Sequence, residues 1–188
     1  MTSSTYVNND IVDEKNDLGL RAALAATEWD AIIIQISRRI TKSATDVEAS
    51  ELAALKAVMP LMKAETDKIY LFTLNSDKTP AIFTTAGGDK GYTKTSNKET
   101  YSAAEGSAFF KELADKWAAE LGIGVINYGQ AYHDYKNPEK IGLGYLQACM
   151  IYDTVFGKAI PETAETNGNT SAVAKTLREI AEKYCLKP

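Results

Sequence analysis

Trp29-Asp30-Ala31-Ile32-Ile33-Ile34-Gln35-Ile36-Ser37-Arg38-Arg39 is the most continuously apolar stretch of the chain, and helical patterns flank it on both sides. Apolar residues on successive rather than alternate positions, from Ala31 to Ile34, predict a parallel strand covered by helices on both faces. We read it as the central strand of a sheet. Ligands of open α/β sheets bind outside the carboxyl ends of the strands. That rule singles out Gln35 together with Ser37 and Arg38 as candidate site residues.

Working outward, Leu18, Ala22, Ala25 and Ala26 recur at helical spacing before the strand, behind Asp17 as N-cap. After it, Thr45-Asp46-Val47-Glu48 has the cap-then-acid order that opens a helix. Val47, Leu52, Leu55, Val58, Met59 and Met62 hold one apolar face to about Ala64. Pro60 should kink this helix or start a new turn, because it lacks an N–H and crowds the turn before it. Lys68 to Leu74 reads as a second strand. Thr79 to Thr100, rich in Thr, Gly and Lys, reads as a long excursion with a short hairpin through Ala81 to Thr85. Tyr101 to Leu121 is helical, Ile123 to Tyr128 a third strand, and Gly129 to Lys140 a loop. Helices follow over Ile141 to Phe156, stopped by Gly157, and over Ser171 to Tyr184. Alternating helices and strands with short connections predict an α/β fold of three layers, α/β/α, around a short parallel sheet.

With 188 residues, 45% of them hydrophobic and 24% charged, the chain can bury a core of ordinary size. Residues 17–188 are therefore predicted as one domain, and the polar residues 1–16 as a flexible arm. The net charge of −4 argues against nucleic acid or an anionic membrane as partner, since either demands a basic footprint. No run of about 18 apolar residues predicts a membrane span. The first residues lack the basic-then-apolar order of a signal peptide, so the chain as given reads as cytoplasmic, or extracellular if a segment precedes it. Cys149 and Cys185 fall in helical patterns far from CxxC spacing and read as small buried hydrophobes. No ligand-spaced His/Cys/Asp/Glu set points to a metal, and no glycine pair has phosphate-loop spacing, so no cofactor is expected.

His133 is the only histidine, so any histidine-dependent proton transfer must use it. Asp134, its neighbour in sequence, is poorly placed to reach the far nitrogen of that ring. Ser37 lacks the glycines of a nucleophile elbow and suits hydrogen bonding better than attack. Gln35 closes a run of isoleucines, and an amide there suits a donor to a substrate or oxyanion. Asn75 and Gln130, after the other two strands, would face the same crevice.

Two blocks carry a family resemblance. Trp29-Asp30 through Gln35-Ile36-Ser37 is similar to the internal Trp-Asp block of SGNH (GDSL-like) hydrolases. Asp134-x-x-Asn137-Pro138, followed by Gly144-Tyr145-Leu146-Gln147-Ala148-Cys149 and Ile151 to Lys158, resembles that family's terminal Asp-x-x-His-Pro block and the helix after it. The similarity runs from about Trp29 to Pro161 and implies a flavodoxin-like SGNH fold, incomplete at its N-terminus. It also implies an amide-donor role for Gln35, an orienting role for Asp134, and His133 as the available base. The family's nucleophilic serine belongs to a block before the Trp-Asp strand, and no such block is found here. The family's histidine position falls on Asn137, whose amide cannot serve as a base. The resemblance thus implies a truncated or degenerate hydrolase of esters or acetylated carbohydrates, inactive as the isolated chain. The alternative is a non-catalytic module that binds a small ligand or a protein through the former cleft. Three strands are few for a sheet of this kind. Loss of the family's first strands would make Asp30 to Ile36 an apolar edge, so a homo-oligomer, a two-fold dimer, is expected.

Overall fold

The computed structural model describes residues 20–25, 27–36, 45–73, 81–84, 98–101, 103–136 and 141–186. In chain order the elements are α1 (Leu20–Ala25), β1 (Ile32–Gln35), α2 (Thr45–Glu65), β2 (Ile69–Phe72), β3 (Ala81–Thr84), β4 (Lys98–Tyr101), α3 (Ala103–Leu121), β5 (Gly124–Ile126), α4 (Tyr128–Asp134), α5 (Leu143–Phe156) and α6 (Ser171–Cys185). This is a mixed α/β architecture with six helices among the described residues. The predicted arm, the Asp17 cap and the candidates Ser37, Arg38, Asn75 and Asn137 lie outside the described residues.

β1, β2 and β5 form an all-parallel open sheet in the order β1-β2-β5. Ile34 pairs with Leu71, and Leu71 with Val125. Because side chains alternate across a strand, the sheet divides its residues between two cores. Ile32, Ile34, Ile69, Leu71, Ile123 and Val125 pack with residues of α1, α2 and α3, around Trp117 and Phe110. Ile33, Tyr70, Phe72 and Ile126 pack with α4, α5 and α6. Helices therefore cover both faces, as the continuous apolar run of β1 implied.

Among the described residues β1, the strand within the run at Trp29 to Arg39, is not the central strand of its sheet. β2 is, and Leu71 in it is fully buried, whereas Ile32, Ile33 and Ile34 are only half-buried and Gln35 is exposed. Among the described residues β1 pairs on one side only. Composition misleads here because a pure isoleucine run looks more interior than Ile69-Tyr70-Leu71-Phe72, whose tyrosine lies against a glycine. Tyr70 faces Gly124 across the ladder, and a Cβ on Gly124 would stand 2.5 Å from the Tyr70 ring. The glycine makes room for the ring, and the ring supplies the apolar surface the glycine lacks.

Pro60, the predicted site of a kink or a new turn, lies inside α2, which runs from Thr45 to Glu65. Two further expectations are corrected. The excursion at Thr79 to Thr100 holds a wider hairpin than predicted, with β3 antiparallel to β4 and Ala81 opposite Tyr101. The segment after β5 is not a loop throughout but opens with α4. Tyr128, Ala131, Tyr132 and Tyr135 supply the reason: they recur at the i, i+3, i+4, i+7 spacing of one helix face and all four are buried. Gly157 ends α5 in the left-handed conformation, with φ 64°, as its position predicts. No described helix is long and apolar enough to cross a membrane.

Candidate functional site

The carboxyl ends of the three parallel strands carry the candidate site. Pairing continues one residue past the strands, where the Ile36 amide donates to the Phe72 carbonyl at 3.4 Å and the Thr73 amide to that of Ile126 at 3.0 Å. Thr73, fully buried at the end of β2, accepts from the Gly129 amide at 3.0 Å and donates to the Asn127 side chain at 3.5 Å. A hydroxyl that satisfies one of the first amides of α4 helps fix how that helix leaves the sheet, because such an amide has no partner within its own helix. Gln35 closes β1 and is exposed at this end, opposite Phe72 in register.

Above the strand ends, Ser107 of α3 and His133 of α4 are joined by a hydrogen bond of 2.9 Å between the hydroxyl oxygen and Nε2. The direction of that bond follows the imidazole tautomer. α3 belongs to one helical layer and α4 to the other, so the pair ties the two layers together across the end of the sheet. The imidazole is half-buried and stands edge-on to Tyr132, with ring centroids 5.5 Å apart. Ser107 is 1% exposed.

Asp134 turns the other way. Its carboxylate forms an ion pair with Lys183 and accepts a hydrogen bond from the Tyr184 hydroxyl at 2.9 Å, both on α6. The Lys183 hydrogen bond chiefly holds this carboxyl below its ordinary pKa, against burial, which pushes it up, with Tyr184 and the charges of Lys183 and Lys136 helping. Gln130, expected in a loop, is half-buried on α4.

Sequence reasoning expected Gln35, Gln130, His133 and Asp134 at one crevice; the structure puts Gln35 at the exposed end of β1 and the other three on α4, and Ser107 was missed altogether. The signal for Ser107 was weak, a serine between Gly106 and Ala108 in a helix. Only the tertiary approach of α3 to α4 gives it a partner. Chemically, a serine hydrogen-bonded to an imidazole is the first half of a nucleophile-and-base relay. The second half, a carboxylate on the imidazole's other nitrogen, is not supplied by Asp134, which α6 holds. Among the described residues no group of three or more metal-ligating side chains converges.

No family model, curated protein or solved structure matches the chain.

Proposed function

We propose that the chain is a degenerate SGNH-like hydrolase domain, which holds a small ester or acetylated carbohydrate at the carboxyl ends of β1, β2 and β5 without turning it over on its own. The observation that carries this reading is the commitment of Asp134 to Lys183 and Tyr184. The carboxylate at the position where the SGNH resemblance puts an orienting acid is thus engaged by α6, and Ser107 itself is enclosed. Gln35, exposed at the end of β1, is the amide available to a ligand carbonyl.

Thermal-shift titration with acetylated mono- and oligosaccharides tests the binding, and nitrophenyl acetate hydrolysis at neutral pH tests the chemistry. The expected result is a ligand-dependent rise in Tm that is lost in Gln35→Leu, with hydrolysis no faster than in buffer. Equal ligand stabilisation in Gln35→Leu and wild type would remove Gln35 from the site.

The 2.9 Å contact between Ser107 and His133 favours a second reading, in which this dyad hydrolyses esters after a local opening exposes the hydroxyl. Turnover that disappears in both Ser107→Ala and His133→Ala would establish it in place of the first.

A further inference from the structure

Asp153 is the one carboxylate among the described residues that is completely enclosed. It lies in the last turn of α5, and two of its atoms hold the chain that follows. Its carbonyl accepts the Gly157 amide at 2.9 Å, which closes the helix, and its Oδ1 accepts the Ile160 amide at 2.8 Å, which folds the turn back over the helix end. Its other oxygen, Oδ2, is buried without a hydrogen-bond partner among the described residues. A carboxylate in such a place is poorly compensated when ionised, since one amide cannot replace the water it has lost.

The groups around it do not neutralise it. From α6, Glu182 faces it with a charge of the same sign and Cys185 with a thiol; on α5 itself there is Cys149. The turn contributes Lys158, which is exposed. Both thiols are held protonated, the Cys149 one pushed up to about 11 by burial and the Cys185 one also raised by burial. Burial first, and Glu182 in addition, push the Asp153 carboxyl up to about 6 against the opposing Ile160 hydrogen bond. The last turn of α6, packed on this corner through Cys185, whose thiol donates to the Met150 carbonyl at 3.5 Å, also carries Lys183 and Tyr184, the partners of Asp134.

We propose that Asp153 is a proton-operated latch: protonated, it closes the 157–160 turn and the last turn of α6 onto α5, and ionised, it loosens both. The bistable element is the corner itself, and its movable side bears the two residues that hold Asp134 at the end of α4. Loosening the corner therefore slackens the hold on α4, the helix that contributes His133 to the candidate site. Protonation changes one bond count only: the added hydrogen makes Oδ2 a neutral hydroxyl, while Oδ1 keeps the Ile160 amide.

Amide hydrogen exchange, corrected for the intrinsic effect of pH, reads the latch directly. A carboxyl near 6 when closed, against its ordinary 3.8 when open, makes the opening of Ile160 and of residues 182–186 about tenfold more frequent at about pH 7.5 than at about pH 5. Asp153→Asn keeps the acceptor for Ile160 and removes the charge, so its protection should stay the same at both pH values. Equal protection of the wild type at the two pH values, or the same pH dependence in Asp153→Asn, overturns the proposal. Carboxyl carbon NMR of the wild type needs no variant: the Asp153 signal should titrate near 6, together with the change in exchange, and titration in the ordinary carboxylate range overturns the latch even if Asp153→Asn does not fold.

Discussion

Leu71→Ala and Ile34→Ala together test which strand lies at the heart of the sheet. The two residues are register partners on neighbouring strands and point into the same core, under α2 and α3. Each substitution removes three carbon atoms, so any difference in cost reports the surroundings. Leu71 is fully buried. Its three carbons at about 0.8 kcal/mol each give a transfer loss of about 2.4 kcal/mol. The cavity left among close-packed neighbours raises the total to about 3–5 kcal/mol. Ile34 is only half-buried, so about half the transfer loss applies, and the open side lets neighbours or water relax into the gap. A cost of about 1–2 kcal/mol follows for Ile34→Ala. Urea denaturation followed by far-ultraviolet circular dichroism would measure both, with unchanged slopes showing that only stability has moved. An Ile34→Ala cost equal to or above that of Leu71→Ala would refute β2 as the central strand and restore the isoleucine run to that place.

Gly124→Ala should cost about 1–3 kcal/mol, because its Cβ would meet the Tyr70 ring, and in a Tyr70→Ala background most of that cost should vanish; additive effects in the double mutant would show that the ring is not the obstacle. The depressed pKa of Asp134 contributes stability that is present above its unfolded value of 3.8 and lost as pH falls through the lower folded value. Lys183→Met should move the Asp134 carboxyl titration, followed by NMR, back up toward 3.8 and shrink that acid-side loss; an unmoved midpoint would refute the assignment of the shift to Lys183. Pairing of β1 with its own copy would cover the edge of an isoleucine strand that has no neighbour among the described residues, so light scattering over a dilution series should show a dimer that an Ile33→Lys variant, checked for its fold by circular dichroism, no longer forms. A wild-type monomer at micromolar concentration would refute this.

The sequence by itself determined which segments are helix and which are strand, wherever a periodicity could express itself locally. Val58, Met59 and Met62 on α2, and Phe110, Leu113, Trp117 and Leu121 on α3, recur at helical spacing and are buried as that spacing predicts. Even α4 was present in the spacing of Tyr128, Ala131, Tyr132 and Tyr135, hidden by the turn-like residues between them. The parallel sense of the sheet followed from the same information, since helices between strands bring the chain back to the starting end. Strand order did not, because it depends on which strand finds neighbours on both sides, and Ile32-Ile33-Ile34 is as apolar at an edge as it would be at the centre. The site divided along the same line. Gln35 was legible as the polar residue that closes an isoleucine run, and His133 as the only histidine of the chain. The partners that set their chemistry come from far along the chain: Ser107 reaches His133 across 26 positions, and Lys183 and Tyr184 reach Asp134 across 49 and 50. Which side chain an imidazole or a carboxylate meets is decided by how two helices pack, and packing joins residues that no local pattern connects.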